Sequence, residues 1–434
     1  VSGRGLGWPS IVRLGLVQSA IGAMVMLATS LLNRVMVVEY GLPAVIPGGL
    51  VAWHYGVQLS RPIWGHGSDS GKRRTPWIVG GMAVLAGGAL LAIAALPLLG
   101  ARHWGGLPLA ILAFALIGAG VGAAGTSLLA LLATRVVPER RAAAAAITWI
   151  MMVAGIAITA GVAGALIEPF SLPRLVRVAS GVAVVAFLVS LFAVLGIERG
   201  TPPEVAGPRA STDFAAALRE LWGDRDARRF TIFVFVSMLA YSMQDLILEP
   251  FSGLLFGFTP GESTQLSGVQ HGGVLAGMVL TGVGGSAFAG RGARDLRRWI
   301  FGGCVGSGVA LAGLAFAAHV GAGWPLRVNI FLLGFANGVF AVAAIGSMMQ
   351  LAGAAGPHRE GIRMGVWGAS QAIAFGAGGL IGAVGVDLGC SVMGATDRAF
   401  ALVFTGEALL FLVAAALAIG SARVAQPSHI EATA

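Results

Sequence analysis

The chain has 434 residues, of which 56% are hydrophobic and 11% charged, with a mean hydropathy of +0.84 and a net charge of +9. Soluble domains carry about 25% charged residues, so this sequence cannot cover itself with polar surface, and a soluble globular fold is excluded. The basic balance needs no nucleic acid partner. It matches the excess expected on the inner face of a membrane protein, where anionic lipid headgroups attract it.

A bilayer core takes roughly 20 apolar residues per helix. Runs of that kind predict twelve spans, at about 11–37, 44–60, 76–99, 106–134, 142–167, 173–197, 230–256, 266–289, 299–320, 325–352, 361–386 and 396–420. The first follows Arg4 and Arg13 as a secretory signal would, but it is too long, and too many apolar runs follow, for removal to be expected. The 67 glycines fall mostly inside the runs, which suits close helix packing.

Arg34 and Glu39 lie at the far end of the first run, with Pro43 just beyond. The second run is short and carries Trp53, His54 and Tyr55. In "GHGSDSGKRR" (65–74), Gly65, Asp69 and Gly71 precede Lys72, Arg73 and Arg74. The glycines permit a tight turn and Asp69 can cap a helix or pair with a cation; a generic basic inner loop has the same composition. On the fifth run Ala160 and Gly164 form a small-xxx-small pair, matched by Gly378 and Gly382 on the eleventh.

A polar loop, 198–228, follows the sixth run. Within it "STDFAAALRELWG" (211–223) sets Phe214, Leu218, Leu221 and Trp222 on one face behind Ser211 as N-cap, which predicts a surface helix lying on the membrane or on the protein itself. The seventh run holds "SMQDLILEPFSG" (242–253). A charge at a helix centre costs about 2.5–3.5 kcal/mol, and this stretch has Asp245 and Glu249 one turn apart. Glu249 precedes Pro250 as Glu39 precedes Pro43, so both are expected to mark helix ends from which they snorkel. The middles of the fourth, fifth, tenth and eleventh runs have no Asp or Glu, which leaves Asp245 as the deepest acid expected. Cys304 and Cys390 fall on opposite faces, too far apart for a disulfide.

The chain repeats itself. "RRTPWIVGG" (73–81) recurs as "RRWIFGG" (297–303), "LIGAGVG" (116–122) as "LLGFANG" (332–338), "PER" (138–140) as "PHR" (357–359), and "VVEYGLP" (37–43) as "ILEPFSG" (247–253). The order is kept, which predicts two parallel six-helix halves, 10–197 and 229–420, joined by 198–228 and followed by a tail, 421–434. His54 and His271 are 217 residues apart, inside the range of repeat offsets, and are expected to occupy equivalent places. With the N-terminus inside, 22 of the 28 Lys and Arg residues fall on inner segments, which puts both termini in the cytoplasm. No nucleophile–base pair or phosphate loop stands out, so no enzyme is predicted.

Twelve helices in two parallel halves, together with the 65–74 motif, resemble the major facilitator superfamily. Within it, "LLNRVMVVE" (31–39), "WHYGVQLSRPIWGHGSD" (53–69) and "MQDLILEP" (243–250) resemble the PucC-like family of photosynthetic bacteria, and "RRTPWI" (73–78) resembles its branch described as a bacteriochlorophyll synthase subunit. The resemblance implies an all-α protein with twelve transmembrane helices in the bacterial inner (intracytoplasmic photosynthetic) membrane. It also implies a non-enzymatic factor that binds or delivers (bacterio)chlorophyll or a precursor. The clients implied are light-harvesting polypeptides, the reaction-centre complex, or a late pigment-biosynthesis enzyme such as geranylgeranyl reductase. Helices 1 and 7 face each other in that superfamily, so Arg34 and Asp245 are expected to neutralise one another. A chlorin magnesium needs an axial ligand; His54, with Trp53 and Tyr55 to flank a ring, is favoured over His271, against the plainer reading of both as histidines bonded between helices. A secondary transporter of a small solute is the other reading.

Overall fold

The computed structural model describes residues 6–61, 64, 73–198, 219, 222–223, 225–287, 293–353 and 360–420. Twelve long helices follow in order: α1 Trp8–Glu39, α2 Val45–Gln58, α3 Thr75–Gly100, α4 Gly106–Arg135, α5 Pro138–Leu166, α6 Leu172–Val194, α7 Arg225–Phe256, α8 Pro260–Ala287, α9 Ala293–Val320, α10 Leu326–Gly353, α11 Glu360–Met393 and α12 Thr396–Gly420. Proline sits in the first two positions of α1, α3, α5 and α6, where its missing N–H costs nothing. Among the described residues, ten helices are long and apolar enough to cross a membrane. The other two fall short for plain reasons: α2 has 14 residues, and α8 opens on the polar stretch Glu262 to His271. This is a multi-pass membrane protein.

The two halves pack alike. In the first, α1 packs on α5 and α6, α4 on α2 and α3, and α3 on α6; in the second, α7 packs on α11 and α12, α10 on α8 and α9, and α9 on α12. Each contact recurs six helices later. One hydrophobic cluster fills the first half and takes in Leu246 of α7, while another fills the second. Between the halves, α5 meets α8 and α2 meets α11, the two contacts a pseudo-two-fold axis would exchange.

Glycine fixes the register of this symmetry. A Cβ on Gly118 of α4 would meet the His54 carbonyl of α2, and one on Gly334 of α10 would meet the Gln270 carbonyl of α8. The structural counterpart of His54 is therefore Gln270, not His271. The expected equivalence was off by one residue, about 100° on a helix, and His271 corresponds instead to Tyr55. The paired small residues also diverge: Gly164 lies against α8 of the other half, whereas Gly382 lies against Met243 within its own.

Helix α7 does not end at Pro250; it runs on to Phe256. Proline has no N–H to give to the carbonyl four residues back, that of Leu246. Asn33 of α1 supplies the missing donor, its Nδ2 lying 2.6 Å from Leu246 O. Glu249 is consequently buried in the wall of the bundle rather than snorkelling from a helix end. The loop residues Gly65, Asp69, Gly71 and Lys72, most of the 211–223 segment and the 421–434 tail lie outside the described residues. Arg73 is exposed, and Arg74 reaches α4, with Nη1 2.6 Å from Ala130 O.

Candidate functional site

The polar residues converge on the seam between the halves. Its first layer forms where α1 contains two π-helical turns, Leu27–Leu31 and Val35–Glu39. A π-turn closes five residues back rather than four, as Tyr40 N–H does on Val35 O at 3.1 Å. That winding carries Glu39 beneath Arg34, and the pair closes at 2.7 Å. Arg34 is 2% exposed. Its remaining donors reach Ser263 Oγ of α8 at 3.2 Å and Phe258 O at 2.6 Å. Ser30, on the first π-turn, donates to Glu249 and approaches Ser267 Oγ at 3.5 Å.

The expected Arg34–Asp245 ion pair is not made. The guanidinium is committed to Glu39, Ser263 and the Phe258 carbonyl, and Glu249 is the α7 acid within its electrostatic reach.

Two more carboxylates join the halves nearby. Asp387 of α11 accepts the backbone N–H groups of Ala44 (3.0 Å) and Val45 (2.7 Å) at the start of α2. Glu168, after α5, accepts Gly261 N–H at the start of α8, at 2.8 Å. Both complement helix N-termini that have unsatisfied donors and partial positive charge.

Deeper in the bundle, Tyr55 (α2), Tyr241 and Asp245 (α7) and Phe375 (α11) each keep part of their surface open and so line a cleft between the halves. The rings of Tyr55 and Tyr241 both lie 5.8 Å from that of Phe375. Asp245 is within electrostatic reach of both tyrosines and of Glu407, at the middle of α12. Glu407 is 0% exposed, and among the described residues no group hydrogen-bonds to either of its oxygens. It is the deep acid that the sequence reading passed over. A lone carboxylate eleven residues into the last apolar run was the available signal.

The histidine candidates differ in setting. His54 is 1% exposed, with its Nε2 2.8 Å from Gln58 Nε2. Trp53 and Tyr55 do not flank a common ring bound at His54, because successive helical side chains diverge by about 100°; Tyr55 instead packs edge-on against the imidazole itself, at 5.0 Å. Trp53 points outward, 46% exposed, and donates to Ile111 O of α4 at 3.2 Å, while Tyr55 turns to the cleft. His271 is partly exposed, and its Nδ1 lies 2.9 Å from Ser267 O. A carbonyl only accepts, so Nδ1 carries the proton and Nε2 presents its lone pair. Among the described residues no group of three or more His, Cys, Asp or Glu side chains is placed to hold a metal ion. Cys304 and Cys390 are both free.

Away from the cleft, an apolar groove of about 300 Å³ opens between α3 and α4, lined by Trp64, Trp77, Gly80, Gly81 and Gly120 among others.

Residues 31–425 match the family model described as PUCC protein. The chain is 51% identical over 418 residues to the bacteriochlorophyll synthase 44.5 kDa chain of Rhodobacter capsulatus, covering 96% of each. It is 32% identical to protein PucC of Cereibacter sphaeroides, over 84% of this chain and 81% of that one. In fold it is similar to a crystal structure of the nucleoside transporter NupG, with TM-score 0.69, 12% identity, and coverage of 95% of this chain and 100% of the other. A peptide transporter, POT, in complex with alafosfalin gives TM-score 0.68 at 14% identity, covering 96% of each.

Proposed function

The chain belongs to the PucC family, and on that premise we propose that it is a non-catalytic assembly factor of photosynthetic membranes that binds (bacterio)chlorophyll or a precursor and delivers it to a client. The observation that carries this reading is the 51% identity, over 96% of the chain, to a protein named as a bacteriochlorophyll synthase chain. The clients in view are light-harvesting polypeptides, the reaction-centre complex, or a late enzyme of the pigment pathway such as geranylgeranyl reductase. Orientation with both termini in the cytoplasm is supported by the excess of Arg and Lys on that side.

Within this reading His271, rather than His54, is the axial ligand for the chlorin magnesium. A neutral imidazole with Nδ1–H held by a carbonyl is the form that ligates metals through Nε2, and His271 has that partner in Ser267 O. His54 faces Gln58 inside the protein. The pigment itself supplies the magnesium.

The test is purification in mild detergent from pigment-producing cells, followed by the absorption spectrum and the identity of co-purifying proteins. His271→Ala is expected to lower co-purified pigment while the folded protein stays abundant. A wild-type protein that is colourless, and remains so when bacteriochlorophyll is added, sinks the pigment reading and leaves an enzyme-stabilising scaffold.

A second reading, secondary transport of a small solute, is favoured by one observation: two acids lie deep in the bundle, Asp245 at the seam and Glu407 inside the second half, as acids do in many carriers. Solute uptake by proteoliposomes that is lost in Glu407→Gln would support it.

A further inference from the structure

Glu407 is buried at the middle of α12, with neither oxygen bonded to a group among the described residues. Opposite it, Gln244 of α7 is 0% exposed, and both its amide atoms likewise lack partners among them. The register of the two helices brings them together. Phe251 of α7 packs its ring on Phe404 at 5.0 Å and on Phe400 at 5.3 Å. The helices are antiparallel, and Gln244 lies two turns below Phe251, while Glu407 lies two turns below Phe400 on the same faces. Aromatic packing brings Asp245, the neighbour of Gln244, to the same region: Tyr241, one turn below it, packs on Phe340 at 6.3 Å, and Phe340 packs at 5.6 Å on Phe411, one turn below Glu407. The two carboxylates interact electrostatically, and Asp245 is partly open to the cleft.

We propose that Asp245 and Glu407 form a shared proton site, which exchanges with the cleft between the halves through Asp245. Two carboxylates in electrostatic contact inside a bundle do not both stay ionised without a cation. The two described cations that reach the seam are bonded elsewhere: Arg34 to Glu39, and Arg61 to Gln58. A metal ion is the poorer occupant. The described residues place no third acid, His or Cys with the pair, and Gln244 offers neutral dipoles suited to a proton-sharing pair.

Other titratable or charged groups near the seam are few. On α1 there are Arg34 and Glu39, while Arg13 is bonded to the Phe192 and Leu195 carbonyls at the other end; on α2 there are His54 and Tyr55, with Arg61 just beyond its last residue. On α7 Tyr241 faces Asp245, and Glu249 is held by Ser30. On α8 His271 is bonded to Ser267 O, and on α9 Cys304 is buried while His319 faces Asp397 at 3.4 Å. On α10 Arg327 sits in the first turn, and on α11 Asp387 serves the α2 N-terminus. The site is independent of which ligand the cleft takes, so it stands or falls separately from pigment binding.

The test is infrared spectroscopy of the pigment-free protein, purified in detergent and titrated in H₂O and D₂O. Protonated buried carboxyls give a C=O stretch that shifts in D₂O. Wild type is expected to show such a band with a pH midpoint. Asp245→Asn and Glu407→Gln should each remove part of it, and each should move the midpoint of the remainder by about one pH unit or more. Helix content and elution volume identify folded variants. If Glu407→Gln fails to fold, Asp245→Asn alone must still move the band that Glu407 contributes. A band unchanged by Asp245→Asn, or two losses that add with an unmoved midpoint, overturns the proposal. A midpoint displaced by adding sodium, potassium or magnesium ions also overturns it, in favour of a cation site.

Discussion

Arg34 and Glu39 stand five residues apart in one helix and form a 2.7 Å ion pair, because the turn between them is π rather than α. The same guanidinium reaches Ser263 and Phe258 from the other half. Breaking a buried pair by removing one partner costs about 3–5 kcal/mol. Arg34→Ala is expected to lower the detergent melting temperature sharply, and Arg34→Lys nearly as much, since an ammonium cannot span three diverging acceptors. Asp245→Asn should leave the melting temperature unchanged or raised. Equal losses for Arg34→Ala and Asp245→Asn would restore the pairing that the structure lacks.

Glu198 makes a second, pH-dependent prediction. Its carboxylate receives Arg74 N–H at 3.0 Å and Thr75 N–H at 2.9 Å, capping α3 from beyond the end of α6. Burial pushes this carboxyl up, but those N–H groups, the Thr75 hydroxyl and the Arg135 charge outweigh it and hold the group below the usual carboxylate range. A depressed folded value contributes stability that is present above the unfolded value, about 4.3, and is lost as pH falls through the folded one. Glu198→Gln is therefore expected to cost about 1 kcal/mol at pH 7, a small figure because the site is partly solvated. Melting curves of variant and wild type should converge once the pH falls below the folded value. A gap that persists there assigns the loss to packing.

Asp387 ties α11 to the first N–H groups of α2, across the seam. Asp387→Ala removes both acceptors and a charge matched to the helix dipole, for about 1–2 kcal/mol. Because the contact joins the halves, its loss should appear first as faster cleavage or hydrogen exchange around Leu42 to Val45. Exchange there that matches wild type would mean the α2 N-terminus is held by something else.

Much of this was legible in residue order. Twelve apolar runs became twelve helices, and the repeated glycines Gly118 and Gly334 do bring α4 onto α2 and α10 onto α8. What was not legible depends on local winding. A one-residue error in matching His54 to its counterpart turns a side chain by about 100°, enough to exchange a cleft position for a buried one. The π-turns of α1 leave no composition signal, yet they decide that Arg34 meets Glu39. Glu407 was visible as a letter, but its weight comes from Asp245 on another helix.

Pro250 offers the most discriminating test of that winding. It lies inside α7, and the carbonyl it leaves without a helical donor, Leu246 O, is taken by Asn33 of α1 at 2.6 Å. A buried carbonyl stripped of its donor costs about 1–3 kcal/mol, so Asn33→Ala should destabilise by that amount. Pro250→Ala gives α7 its own N–H at the right place and should be close to neutral, with Asn33 then competing for an acceptor already satisfied. The double variant is the decisive one. If Asn33 serves to replace the missing N–H, Pro250→Ala should rescue most of the loss caused by Asn33→Ala, a coupling of about 1 kcal/mol or more between residues of opposite halves. Melting temperatures of the four proteins close that cycle. Losses that merely add would show that Asn33 and Pro250 act separately, and that the proline in α7 is tolerated for another reason.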